Sequence, residues 1–271
     1  MLREGFLHRD ISIGNILMLD PPVTMNSFKV RAVGQLMTRF SLQYEGEFAK
    51  YANLLEDAIK KMDYLDKCHG FLIDGDMAAK LEGYFTVCDT GEVFVSICLV
   101  ARGIQLMTFV QGTYEFMSGR LASTLRTANP YLHSPVDDLE SFYYTAQWAA
   151  AFNDGASGRR HDGIGIQHFR ELIVGNQKDR AAIMVRDELF PRSAGMTYGP
   201  FFAQSLYLLT PWREKLAILI RDWIQLTETT VGHNEDKDEF LGLDFLIYGY
   251  RGVAEYLELV HEHRASLQGA V

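Results

Sequence analysis

The sequence predicts a mainly α-helical fold with a few short strands. Apolar side chains recur at steps of three and four residues over long stretches, the spacing that lines one face of a helix. The apolar runs that lack this period, such as Gly70-Phe71-Leu72-Ile73, have the length of single buried strands. The 271 residues, 48% hydrophobic and 23% charged, suffice to close the core of one large domain or two small ones.

The elements follow in order. An apolar segment, Ile16-Leu17, leaves Asn15 and reads as a strand, whereas Val23 to Phe40 keeps no clean period. Tyr44, Phe48, Tyr51, Leu55, Ala58, Met62 and Leu65 then alternate steps of four and three, with Glu45, Glu47, Lys50, Glu56, Asp57, Lys60 and Lys61 on the other face. That pattern predicts an amphipathic helix with a narrow seam. The seam either docks on its own domain or takes a helical partner through residues 44–65. Gly70 to Asp74 reads as a short buried strand ending on an acid. Residues 75–132 are loop-rich, interrupted by the apolar stretch 93–100. From Ser134 the chain turns helical: Leu139, Phe142, Tyr143, Ala146, Ala149 and Ala150 keep helical spacing, with Asp137 and Asp138 as candidate caps. Residues 153–163 form a loop. Further helices fit about 166–190, 199–227 and 237–267, punctuated by Gly199-Pro200 and Thr210-Pro211.

Charge and cysteine usage narrow the function classes. Twenty-six basic against 35 acidic residues give a net charge of −9, the wrong sign for a general phosphate-backbone binder, so no nucleic-acid partner is expected. Cys68, Cys88 and Cys98 are too few and too scattered for a disulfide framework or a zinc site, and a reducing compartment, cytoplasmic or nuclear, is expected. The longest apolar run, Val93 to Ala101, is far short of the ~20 residues of a spanning helix, so no membrane is expected either. No Gly-x-Ser-x-Gly elbow supports a serine hydrolase. The histidines of His261-x-His263 are two apart on a predicted helix and do not share a face.

Four motifs carry chemistry. The first is Leu7-His8-Arg9-Asp10-Ile11-Ser12-Ile13-Gly14-Asn15-Ile16-Leu17. An Asp followed five residues later by an Asn and then a strand suits phosphoryl transfer: the carboxylate can accept a hydroxyl proton, and the amide oxygen can hold Mg²⁺. The second is Phe71-Leu72-Ile73-Asp74-Gly75-Asp76, a strand delivering a second oxygen ligand of the kind hard Mg²⁺ takes. The third is Gly112-Thr113-Tyr114-Glu115-Phe116-Met117-Ser118. The fourth is Asp137-Asp138-Leu139-Glu140-Ser141, opening an aromatic-rich helix. None is specific alone, since an Asp-Gly-Asp is commonly a turn and an acidic helix start commonly a favourable end charge. Their order and combination are specific.

That combination resembles the C-terminal lobe of eukaryotic protein kinases, and more narrowly the fungal-type protein kinase family. The echoes are His8-Arg9-Asp10-Ile11-Ser12 with Gly14-Asn15-Ile16-Leu17, then Phe71-Leu72-Ile73-Asp74, then Gly-Thr-x-x-Phe-Met, then His133 ahead of Asp-Asp-Leu-Glu-Ser-Phe. They cover about residues 2–155. The resemblance implies a kinase-like C-lobe lacking the N-terminal β lobe, with ATP and Mg²⁺ as cofactors. It makes Asp10 the catalytic base, His8 and Arg9 the braces of its loop, Asn15 and Asp74 the metal ligands, and Asp138 the acid that anchors the loop's backbone.

The departures from the family are as informative. Ser12 stands where most serine/threonine kinases carry a lysine, Gly75 and Asp76 replace the usual Phe and Gly, and Arg120 stands where the family closes its activation segment with a Glu that pairs with a distant Arg. A Gly-rich loop and a strand lysine for the phosphates belong upstream of His-Arg-Asp, yet seven residues precede His8. A truncated, weakly active or inactive kinase is therefore expected. The alternatives are a non-catalytic kinase remnant acting as a binding module, or a small-molecule phosphotransferase of the aminoglycoside type. The expected layout is a kinase-like lobe over 1–230, with insertions at about 19–69 and 92–112, and a helical extension over 231–271. Deleting Glu92 to Gly112 joins Thr90-Gly91 to Thr113 and restores the family's Thr-Gly-Thr-x-x-Phe-Met, which marks that stretch as foreign to the lobe.

Overall fold

The computed structural model of the chain describes residues 6–24, 42–62, 67–72, 78–80, 116–127, 133–151, 199–230 and 237–268. Their order is β1 (Phe6–Leu7), a 3-10 turn (Ile13–Asn15), β2 (Ile16–Thr24), α1 (Leu42–Lys61), β3 (Lys67–Leu72), β4 (Ala79–Lys80), α2 (Gly119–Thr127), α3 (Pro135–Ala151), α4 (Pro200–Thr230) and α5 (Lys237–Gln268). Helix dominates and the strands are few and short, as the sequence predicts. Asp74 and the stretches 92–112, 153–163 and 166–190 lie outside the described residues.

The strands form two antiparallel pairs. β1 meets β4, with Leu7 opposite Ala79, and β2 meets β3, with Ile16 opposite Leu72 and Met18 opposite Gly70. Between Met18 and Val23 the register slips: five steps along β2 oppose two along β3, from Gly70 to Cys68. Pro21 and Pro22 fall in that gap. Neither has an N–H to give the ladder, so the strand bulges past them and pairs again at Val23 and Thr24. Gly70 is required where it stands, because a Cβ there would sit 2.6 Å from the Leu17 carbonyl oxygen. The pairing reaches Thr24 on one side and Lys67 on the other, so residues 25–66 connect the two strands. Leu17, Met18 and Val23 of β2 are exposed.

The helical core gathers on α3. Leu139, Tyr143 and Trp148 of α3 meet Trp212 and Leu219 of α4 and Phe245 of α5, and Leu7 brings β1 to the same cluster. Edge-on aromatic pairs fix the angles, Tyr143 with Trp212 at 5.3 Å between ring centres and Trp223 with Phe245 at 5.3 Å. α5 also crosses α3 and α4 closely at Gly252, where a Cβ would overlap the Leu139 and Leu219 side chains.

α1 lies against the other side of α5. Phe48 and Leu55 of its seam pack with Leu243, Ile247, Tyr250 and Ala254. The seam therefore docks on its own chain, and Lys61 reaches Glu258 at 3.5 Å across the join. α5 stands between α1 and the α3–α4 layer.

Two local expectations differ from the structure. α4 runs unbroken through Thr210-Pro211. Pro211 cannot serve the carbonyl of Tyr207, but Tyr207 is 63% exposed, so that carbonyl is on the wet face. Buried Leu209, Trp212 and Leu216 hold the helix on both sides of the break. The cap of α3 is Ser134, not Asp137 or Asp138. Pro135 takes the first helical position, and the Asp137 carboxylate reaches back to accept the Ser134 amide at 2.7 Å, the reach-back half of a capping box with Asp in the third position.

Candidate functional site

The site is built where β1 runs out into a tight loop. Leu7 is buried and pins the strand, so His8 and Arg9 emerge against the start of α3. Arg9 has a φ of 69°, a left-handed conformation unusual for a side chain of its size. Successive amides then converge on a single anion. His8 N donates to Asp138 Oδ2 at 2.9 Å, and Arg9 N donates to Asp138 Oδ1 at 3.0 Å. His133 Nε2 lies 2.8 Å from the same Oδ1. A carboxylate offers about four acceptor positions, and here three are used. Asp138 thus ties together chain segments 130 residues apart.

Beyond Arg9 the loop folds on itself. Buried Ile11 and Ser12 lead into the 3-10 turn, closed by Asn15 N donating to the Ser12 carbonyl at 3.0 Å. The turn carries Asn15 back over Asp10. Asn15 Nδ2 donates to the Asp10 carbonyl at 2.9 Å and to Asp10 Oδ2 at 3.0 Å. Both side chains are half-buried, so the pair is fixed by the loop yet open on one side. With Nδ2 held by Asp10, the amide's Oδ1 is turned away from it and offers a hard oxygen donor, which fits Mg²⁺.

His8, Arg9, Asp10, Asn15 and Asp138 are therefore brought together. Asp74 lies outside the described residues; Leu72, two residues before it, pairs with Ile16, the residue after Asn15. Among the described residues no group of three or more His, Cys, Asp or Glu side chains gathers that could hold a metal ion. Nor is any described helix long and apolar enough to cross a membrane.

Sequence reasoning missed a second set of contacts on the same helical turn. Asp137 and Glu140 read as a charged helix start, yet both are buried, with partners on the segment Ser118-Gly119. The available signal was the pattern Ser134-Pro135-x-Asp137, a capping box, together with Ser118 one residue ahead of α2.

No curated protein and no solved structure matches the chain. Residues 1–150, from ahead of the His-Arg-Asp loop through the helix that holds it, match the family model of the fungal protein kinase, and the chain belongs to that family.

Proposed function

We propose that this chain supplies the catalytic-loop half of a serine/threonine protein kinase, which moves the γ-phosphoryl group of ATP to a protein hydroxyl. One observation supports the reading most: Asp10 and Asn15 are joined by two hydrogen bonds within a loop whose backbone hangs from Asp138. The Asp10 carboxylate orients the acceptor hydroxyl and takes its proton as the oxygen bonds to phosphorus and the bond to the β-phosphate oxygen breaks. Asn15 Oδ1 and the Asp74 carboxylate are the oxygen ligands for Mg²⁺. When bound, Mg²⁺ neutralises phosphate charge as it develops. His8 and Arg9 act through their amides, holding the loop at Asp138 so that Asp10 does not drift from its line of attack.

Residues 1–271 hold no Gly-x-Gly-x-x-Gly segment to cover the phosphates. By themselves they are expected to transfer little, since positioning supplies most of this catalysis. The test is fusion of a fungal-kinase N-terminal lobe ahead of Phe6, with transfer of labelled γ-phosphate to a protein substrate as the readout. The fusion is expected to exceed the chain alone by about a hundredfold or more, and Asp10→Asn to remove the gain. A fusion that melts cooperatively yet shows no gain would instead favour a binding module. Transfer to aminoglycoside hydroxyls but not to protein would favour the small-molecule phosphotransferase.

A further inference from the structure

The segment Phe116–Gly119 ends beside Arg120, where the family places an acid that pairs with a distant Arg. Hydrogen bonds tie the segment to the first turn of α3. Asp137 Oδ1 accepts the Ser118 hydroxyl at 2.6 Å, while its Oδ2 accepts both the amide and the hydroxyl of Ser134 at 2.7 Å. Ser118 Oγ in turn accepts Leu121 N at 3.1 Å and caps α2. Glu140 Oε1 accepts Gly119 N at 3.1 Å and the Tyr144 hydroxyl at 2.8 Å. Ser118 is 1% exposed and Asp137 3%. A carboxylate held that deep persists only where hydrogen bonds replace its water, and these lead to the starts of α2 and α3.

Helix geometry divides the labour. Asp137 and Glu140 are three residues apart and share a face, whereas Asp138 is turned about 100° from Asp137. One face therefore grips the segment and the neighbouring face grips the His8-Arg9 loop. Phe116 completes the join from below, edge-on to Trp148 at 5.6 Å in the cluster that also holds Leu7.

We infer that Asp137 and Glu140 are the positioning residues that anchor the Phe116–Gly119 segment, and that a single turn of α3 sets this segment's position relative to the Asp10 loop. Only the use of that register in phosphoryl transfer rests on the proposed function; the anchoring itself does not.

Amide hydrogen exchange on the full chain without ATP tests it. In Asp137→Asn and in Glu140→Gln, the amides of Gly119 and Leu121 are expected to exchange about tenfold faster, the equivalent of one lost hydrogen bond, while those of His8 and Arg9 stay within about twofold. Asp138→Asn is expected to do the reverse. Ser118→Ala carries the same readout should a carboxylate variant fail to fold, and Ser118→Thr, which keeps the hydroxyl, should retain protection. Equal acceleration at both segments, or no acceleration at either, would overturn the inference. Because no phosphate is transferred in this measurement, its failure and that of the kinase reading are distinguishable.

Discussion

The first turn of α3 and the seam between α1 and α5 both bind distant stretches of chain, by opposite means. At α3 the join is made of carboxylates receiving amides and hydroxyls at 2.6–3.1 Å. Such bonds are directional, so they fix the loop's geometry as well as its presence. At the seam the join is Phe48 and Leu55 against Leu243, Ile247 and Tyr250. That contact is strong but tolerant of small slips. The seam also contains one misfit. Asp244 is 5% exposed, and burial, followed by the charge of Glu47, pushes its carboxyl up to about 7. Arg251, two turns along the same helix, is engaged by Asp222 at 2.9 Å and Glu255 at 3.0 Å. The candidate site thus lies where hydrogen-bonded carboxylates fix geometry, and the scaffold where apolar area is buried.

Substitutions can break this contrast. Phe48→Ala should cost about 3–5 kcal/mol in urea unfolding, as a buried aromatic leaves a cavity in the seam. It should free the α1 amides to exchange and leave those of His8 and Arg9 protected. Asp138→Asn should cost about 3 kcal/mol by the same measurement, because either orientation of the new amide sets an N–H against one of two buried donors. Here the loop, and not α1, should loosen.

Asp244 sharpens the comparison by pH. Its raised pKa means the folded chain holds a proton that the unfolded chain releases above about 4. Stability from this group therefore falls as pH rises from about 4 to about 7, and flattens above that. Asp244→Asn should remove about 2 kcal/mol of the decline between pH 5.5 and 7, read as a flatter melting-temperature profile. The smallest effect is expected at Gly252. Gly252→Ala gains helix propensity but drives a methyl into Leu139 and Leu219, for a net loss of about 1 kcal/mol by urea titration.

What the sequence made legible follows the same division. The residues from His8 to Asn15 lie in one short loop, so their spacing alone showed that Asp10 and Asn15 could meet. Asp138 lies 130 residues from its partner, and only the resemblance pointed to it. The α1 seam was readable as a period, but its partner was not. α5 is buried on two sides, by α1 at Leu243 and Tyr250 and by the α3–α4 layer at Phe245 and Leu259, so it shows no single apolar stripe. Pro211 illustrates packing overriding a local breaker. Ser134 was missed because two acids behind it looked like caps, although Asp138 reaches the His8-Arg9 loop and Asp137 is shared between Ser134 and Ser118.

The most direct test of whether the α3-held loop is a phosphoryl-transfer site uses Mn²⁺ in place of Mg²⁺, with ADP, and reads paramagnetic broadening of backbone amide signals. Broadening is expected to centre on Asp10 to Ile16, at the β2–β3 end that leads to Asp74, and to weaken in Asp74→Asn without a change in melting temperature. Loop signals that stay sharp, or broadening that Asp74→Asn leaves untouched, would contradict the assignment of Asn15 and Asp74 as the metal ligands.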